Sequence, residues 1–152
     1  MKQLLIKKSV IYYDKLLKKK FGQPKGCTQE EVTGLEEEIG YELPRAYVEF
    51  LLWMGKDYNG LFRGSDWFFK DVHENTLYLP EFLSENKLDI NLSEKYLAFF
   101  CHQGYMIAWF VLPKEGDDPP VFYYSEGAKS KQPKNIKSFS SFLLAEIKMF
   151  SG

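Results

Sequence analysis

A chain of 152 residues is long enough to bury its own core without metal or disulfide staples, and 45% hydrophobic with 17% aromatic content excludes a disordered protein. Its 20 basic and 21 acidic side chains leave a formal charge of -1, which argues against broad nonspecific binding to nucleic acid. Cys27 and Cys101 are too few for a disulfide-built secreted scaffold, and no apolar run reaches a signal-peptide core or the ~20 residues of a membrane span. A cytoplasmic protein is expected.

Leu4, Leu5, Val10, Ile11, Leu16 and Leu17 fall on helical spacing and predict a first helix from Lys2 to Lys20, ended by Gly22 and Pro24. Lys18, Lys19 and Lys20 suit its C-terminal end, where cations complement the partial negative charge. A basic amphipathic helix can touch a membrane or nucleic acid, but a solvated lysine face on a core-packed helix is the plainer reading. The expected organisation is one domain: an N-terminal amphipathic helix over 1–22 and a core over 28–150.

Two short helices with well-marked ends come next. Thr28 with Glu31 forms a capping box, and Val32, Leu35 and Ile39 make an apolar stripe that Gly40 can end in a left-handed conformation. Pro44 suits the first turn of the second helix, with Tyr47, Phe50, Leu51 and Met54 as its stripe and Gly55 as its stop. Turn dipeptides Asn59-Gly60 and Gly64-Ser65 then frame a loop that runs into Trp67-Phe68-Phe69. If that segment is extended, successive side chains point opposite ways, so the three rings would not all enter the core.

Pro80 predicts the start of a short helix over Glu81–Leu88. Tyr96–Cys101 and Tyr105–Leu112 read as strands around the turn at His102-Gln103-Gly104, and Val121–Tyr124 as a third beyond the polar turn 114–119. The first two strands do not alternate apolar with polar, so both their faces should be covered. Residues 127–137 read as a basic loop, and Ser138 as the N-cap of a last helix striped by Phe139, Phe142, Leu143, Ile147 and Phe150. An α+β fold follows: N-terminal helices, a central, largely antiparallel sheet and a C-terminal helix packed on it.

The spacing of Leu35, Glu36, Ile39, Gly40, Leu43, Pro44, Tyr47, Phe50, Leu51, Asn59 and Gly60 resembles the N-terminal signature of the SUKH superfamily. Gly104, Tyr105, Trp109, Val121 and Tyr123 resemble the hairpin and following strand of the same group. That group includes fungal cell-wall-synthesis regulators and many bacterial immunity proteins. The resemblance implies a SUKH-like fold without a catalytic constellation.

Candidate chemistry is sparse. Cys101-His102 suggests a nucleophile and base, but neighbours on a strand face opposite sides. His73 and His102 are the only histidines and lack ligand partners at helical spacing, so no metal site is expected. Glu36, Glu37 and Glu38 fan outward from their helix, which does not make an acid–base pair. The glycines at 60 and 64 lack the downstream Lys-Ser/Thr of a phosphate loop. Catalytic residues, cofactors and metals are therefore not expected, nor are nucleic acid or a membrane as partners. Exposure arguments place a protein-binding surface at Tyr58, Asn59, Trp67, Phe68 and Tyr105, with Glu37 and Glu38 at its rim. Glu30, Glu31, Glu36, Glu37, Glu38, Glu42 and Glu49 are either an acidic patch that steers a basic partner or ordinary solubilising residues. The expected function is a non-enzymatic binding module. Through the resemblance, it is an immunity protein against a polymorphic toxin domain of nuclease or deaminase class; the alternative is a regulatory scaffold with several signalling partners.

Overall fold

The computed structural model describes residues 3–88, 90, 92, 95–112 and 116–151. Helices α1 (Lys7–Leu16), α2 (Lys18–Phe21), α3 (Gln29–Ile39) and α4 (Arg45–Met54) precede a single 3-10 turn (Phe69–Asp71) and helix α5 (Val72–Glu85). Strands β1 (Lys95–His102), β2 (Met106–Leu112), β3 (Val121–Ser125) and β4 (Lys134–Ile136) then form an antiparallel meander in the order β1-β2-β3-β4, and helix α6 (Phe139–Ser151) ends the chain. The fold is α+β.

The local signals act as their chemistry requires. Thr28 Oγ1 accepts from the Glu31 amide at 3.1 Å while Glu31 Oε1 accepts from the Thr28 amide at 2.9 Å, so the capping box is complete. Gly40 closes α3 at φ 79°, a conformation that disfavours any side chain. The Ser141 amide donates to Ser138 Oγ at 3.2 Å, and Asp118 accepts from Ser140 at 2.9 Å, so α6 starts with two orphan amides satisfied. The same 116–118 turn serves α4, whose Ala46 amide donates to the Asp117 carbonyl at 2.8 Å. Lys114 and Glu115, at the start of that expected turn, lie outside the described residues.

The first helix differs from expectation at both ends. The Leu5 and Ile6 amides donate to Glu49 Oε1 of α4 at 2.8 and 3.2 Å, which ties the chain to α4 before the helix opens at Lys7. Lys2 lies outside the described residues. Leu17 then breaks the helix before α2, and Gly22 ends it at φ 84°. Ile6, Tyr13 and Leu17 are buried, so α1 packs on the core.

The sheet lies between unequal layers. Leu97, Ala108, Phe110 and Val121 point into a large cluster with residues of α3, α4 and α6, while Ala98, Ile107, Trp109 and Tyr124 pack on Leu79, Phe82 and Leu83 of α5. Both faces of β1 and β2 are therefore covered, as their unbroken apolar runs require. The β-bulge between Ala98 and Phe100 turns Phe99 and Phe100 to the same side, and both rings enter the large cluster. The outer edge of β1 is blunted by a bridge to Asp66 and by Thr76 Oγ1, which accepts from the Ala98 amide at 3.0 Å.

Three expectations need correction. Pro80 is inside α5 and does not start a helix. Pro80 is exposed and, having no N–H, donates no hydrogen bond to the preceding turn of the helix. Residues 134–136 within the expected basic loop pair with β3 as a short edge strand. Finally, Trp67 and Phe68 are buried, at 0% and 3% exposure. Residues 57–71 run as successive turns closing in the 3-10 helix, so the alternation of an extended segment does not apply. Trp67 stacks on Phe62 at 4.7 Å and meets Phe50 and Phe100 at 5.3 and 5.1 Å, near the centre of the aromatic core.

Candidate partner-binding surface

Among the residues expected to bind a partner, Glu37, Glu38, Asn59 and Tyr105 are exposed, Tyr58 is half-buried, and Trp67 and Phe68 have no free surface to offer. Glu38 lies at the start of α5 and Tyr58 beside the 3-10 turn that leads into it, whereas Tyr105 lies apart, beside Met149 and Phe150 of α6. Glu38 reaches His73 at 3.7 Å, which ties the end of α3 to the first turn of α5. Tyr58 lies edge-on to Phe68 at 5.2 Å, and Lys70 Nζ stands 4.7 Å over its ring, which holds the 57–60 turn against the 3-10 helix. Tyr105 packs on His102 at 5.5 Å in the β1–β2 turn. That turn is docked on α5 by the Tyr78 hydroxyl, which donates to the Gly104 carbonyl at 2.9 Å.

Asp66, Asp71 and Glu74 gather between these anchors. Burial holds the Asp66 and Asp71 carboxyls above their ordinary range; the Glu74 charge adds to it at Asp66 and the Asp66 and Glu74 charges at Asp71, while Lys70 at both and the Phe68 amide at Asp71 pull the other way. One turn further along, Leu77 is 67% exposed, and Glu81 and Glu85 continue the outward face of α5. Glu38, Glu74, Leu77, Glu81 and Glu85 thus give the α3–α5 side exposed carboxylates and one apolar side chain.

Glu31, Glu36 and Glu49 of the acidic cluster expected over residues 30–49 are engaged within the fold. Glu31 caps its own helix and pairs with Lys56 at 2.8 Å. Glu36 accepts from the Leu43 amide at 2.7 Å, and Glu49 binds Arg45 at 3.0 Å as well as the amides ahead of α1. Glu30, Glu37, Glu38 and Glu42 are exposed. The carboxylates of α5 were hidden from the sequence reading because Pro80 split their helix. Read as one helix, Glu74, Leu77 and Glu81 stand at i, i+3 and i+7, the spacing of a single face.

Among the described residues, the polar groups at Ser65, Cys101, His102 and Glu146 each have a structural account. Ser65 Oγ and His102 Nδ1 are 2.5 Å apart, but Ser65 is 4% exposed, so the contact ties the 60–66 turns to β1 and presents no hydroxyl to a substrate. Burial pushes the Cys101 thiol above its ordinary pKa, which makes it a poor nucleophile. Burial also raises the Glu146 carboxyl on α6 to about 7, and its Oε2 accepts no hydrogen bond. Tyr123 lies within reach of that charge, and its own phenol is lifted to about 12 mainly by burial. Among the described residues no three or more His, Cys, Asp or Glu side chains are placed to hold a metal ion, and no helix is long and apolar enough to cross a membrane. A family model described as SMI1 / KNR4 family (SUKH-1) matches residues 26–145, from the loop before α3 to α6. No curated protein matches the chain.

Proposed function

The chain belongs to the SMI1 / KNR4 family (SUKH-1), and from that premise we propose that it is a non-enzymatic, cytoplasmic immunity protein that binds and neutralises a toxin domain of nuclease or deaminase class. SUKH proteins are often immunity proteins or regulators, which sets the class of the partner as protein. The observation that carries the reading is the outward face of α5, where exposed Leu77 stands between Glu74 and Glu81, with Glu38 reaching His73 beside it. Enzymes that act on nucleic acids present cations to hold phosphates, so an outward carboxylate rim speeds encounter with them and fixes register. Leu77 supplies apolar area that leaves water on contact, where most of the binding free energy of an interface arises. Neutralisation is by occlusion and needs no chemistry in this chain.

Co-expression with a toxin-like protein encoded next to it tests the proposal. The expected result is a one-to-one complex that survives gel filtration and abolishes the toxin's activity. Recovery of several weak partners and no stoichiometric one would replace this reading with the regulatory scaffold. Turnover of a substrate by the isolated chain would overturn it.

A further inference from the structure

A second surface differs in chemistry from the α3–α5 face. The family match begins at residue 26, so α1 is outside it, yet α1 lies along α6. Two adjoining hollows of about 350 and 540 Å³ run between these helices and share Lys8, Leu144 and Lys148. Ile11, Leu16 and Leu144 give the smaller hollow an apolar wall, and Leu4 extends it into the larger one. Leu4, ahead of α1, and Ile11 and Leu16 on it are 47%, 40% and 64% exposed, a large apolar area for so short a segment. Lys7, Lys8, Lys15 and Lys148 line the edges, and no carboxylate is among the lining residues. Asp14, on the same helix, does not line either hollow. Lys148 Nζ rests 5.5 Å over the Tyr12 ring, which fixes one cation at the rim.

We propose that the groove between α1 and α6 seats an acidic amphipathic helix of a protein partner. An apolar trough between two helices is the form that receives the apolar stripe of a third. The lysines on its rim then meet carboxylates flanking that stripe, and a basic helix would be repelled. The 10 residues of α1 give a trough of about 15 Å, enough for roughly three turns of such a helix. A bilayer is a poorer occupant because the apolar wall is shared by two helices with hollows between them, whereas a surface-lying helix presents one continuous apolar face. A second copy would have to offer the outward face of α5, and that contact joins two different patches, giving rings or open chains in place of a closed dimer.

The test uses two synthetic helical peptides of about 15 residues, alike in their leucine stripe but flanked by glutamates in one and lysines in the other. Affinities are measured by fluorescence anisotropy, and the site is mapped by amide chemical shifts. The glutamate peptide is expected to bind about tenfold or more tightly than the lysine peptide, to weaken with salt, and to shift amides of α1 and α6. Lys15→Glu with Lys148→Glu should reverse the preference, a gain that a misfolded variant does not give. Equal affinity for both peptides, failure of the glutamate peptide to bind, or shifts confined to α3 and α5 would overturn the proposal. So would capture by phosphatidylglycerol vesicles without peptide binding, which assigns the groove to a lipid surface. Concentration-dependent sedimentation that Lys15→Glu abolishes would assign it to a second copy.

Discussion

The two faces of the sheet are built to different depths. On one side α1, α3, α4 and α6 enclose an aromatic lattice in which Tyr47, Phe50, Trp67, Phe99, Phe110 and Phe139 are all at 0% exposure. On the other side a single helix, α5, covers the strands with Leu79, Phe82 and Leu83 and turns His73, Glu74, Leu77 and Glu81 to solvent. A thick layer can absorb most of the chain's rings, whereas a layer one helix deep must present its opposite side to the surroundings. The difference teaches that ring content alone does not mark a binding surface here: most of the rings fold the protein, and the candidate contacts are the few side chains left outside.

The largest expected effect tests the thick side. Trp67→Ala should lower unfolding free energy by about 4 kcal/mol in a denaturant titration, since it opens a hole where several rings meet. Phe82→Ala, on the thin side, should cost about 3 kcal/mol, because one helix can settle partly into the space. Equal or reversed losses would show that the two layers do not differ in rigidity as their depth implies.

Glu146 sharpens the contrast within the thick layer. Its carboxyl is raised from 4.5 to about 7, so the fold favours the protonated form. The contribution is full below about pH 4.5 and is lost as the pH rises through about 7, amounting to about 3 kcal/mol at most. Glu146→Gln should therefore flatten the stability profile between pH 5 and 8 relative to the parent, as read by thermal melts across that range. A slope unchanged by the substitution would place the titration elsewhere. Smaller still is Thr28→Ala, which removes half of the capping box and should cost about 1 kcal/mol.

Much of this arrangement was legible from local chemistry. Thr28 with Glu31, Gly40, the hairpin around Gly104 and Ser138 each act over a few residues, and each stands where its own hydrogen bonds or backbone angles put it. What the sequence concealed depends on distant partners. The bulge that turns Phe99 and Phe100 together is set by pairing with β2, and the burial of Trp67 by rings contributed from α4, β1 and α6. Pro80 misled because a proline on a solvent-facing turn need not end a helix. That one misreading also hid the outward face of α5, so Leu77 and Glu74 were not among the expected contacts.

The central claim is that the inward side of α5 folds the protein and its outward side binds a partner. Titration calorimetry of Leu77→Asp against the toxin domain, paired with a thermal melt of the same variant, tests it most directly. Leu77 is 67% exposed, so the melt should stay within error of the parent while affinity falls tenfold or more, about 1.4 kcal/mol. Parent-like affinity in a stably folded Leu77→Asp protein would contradict the account.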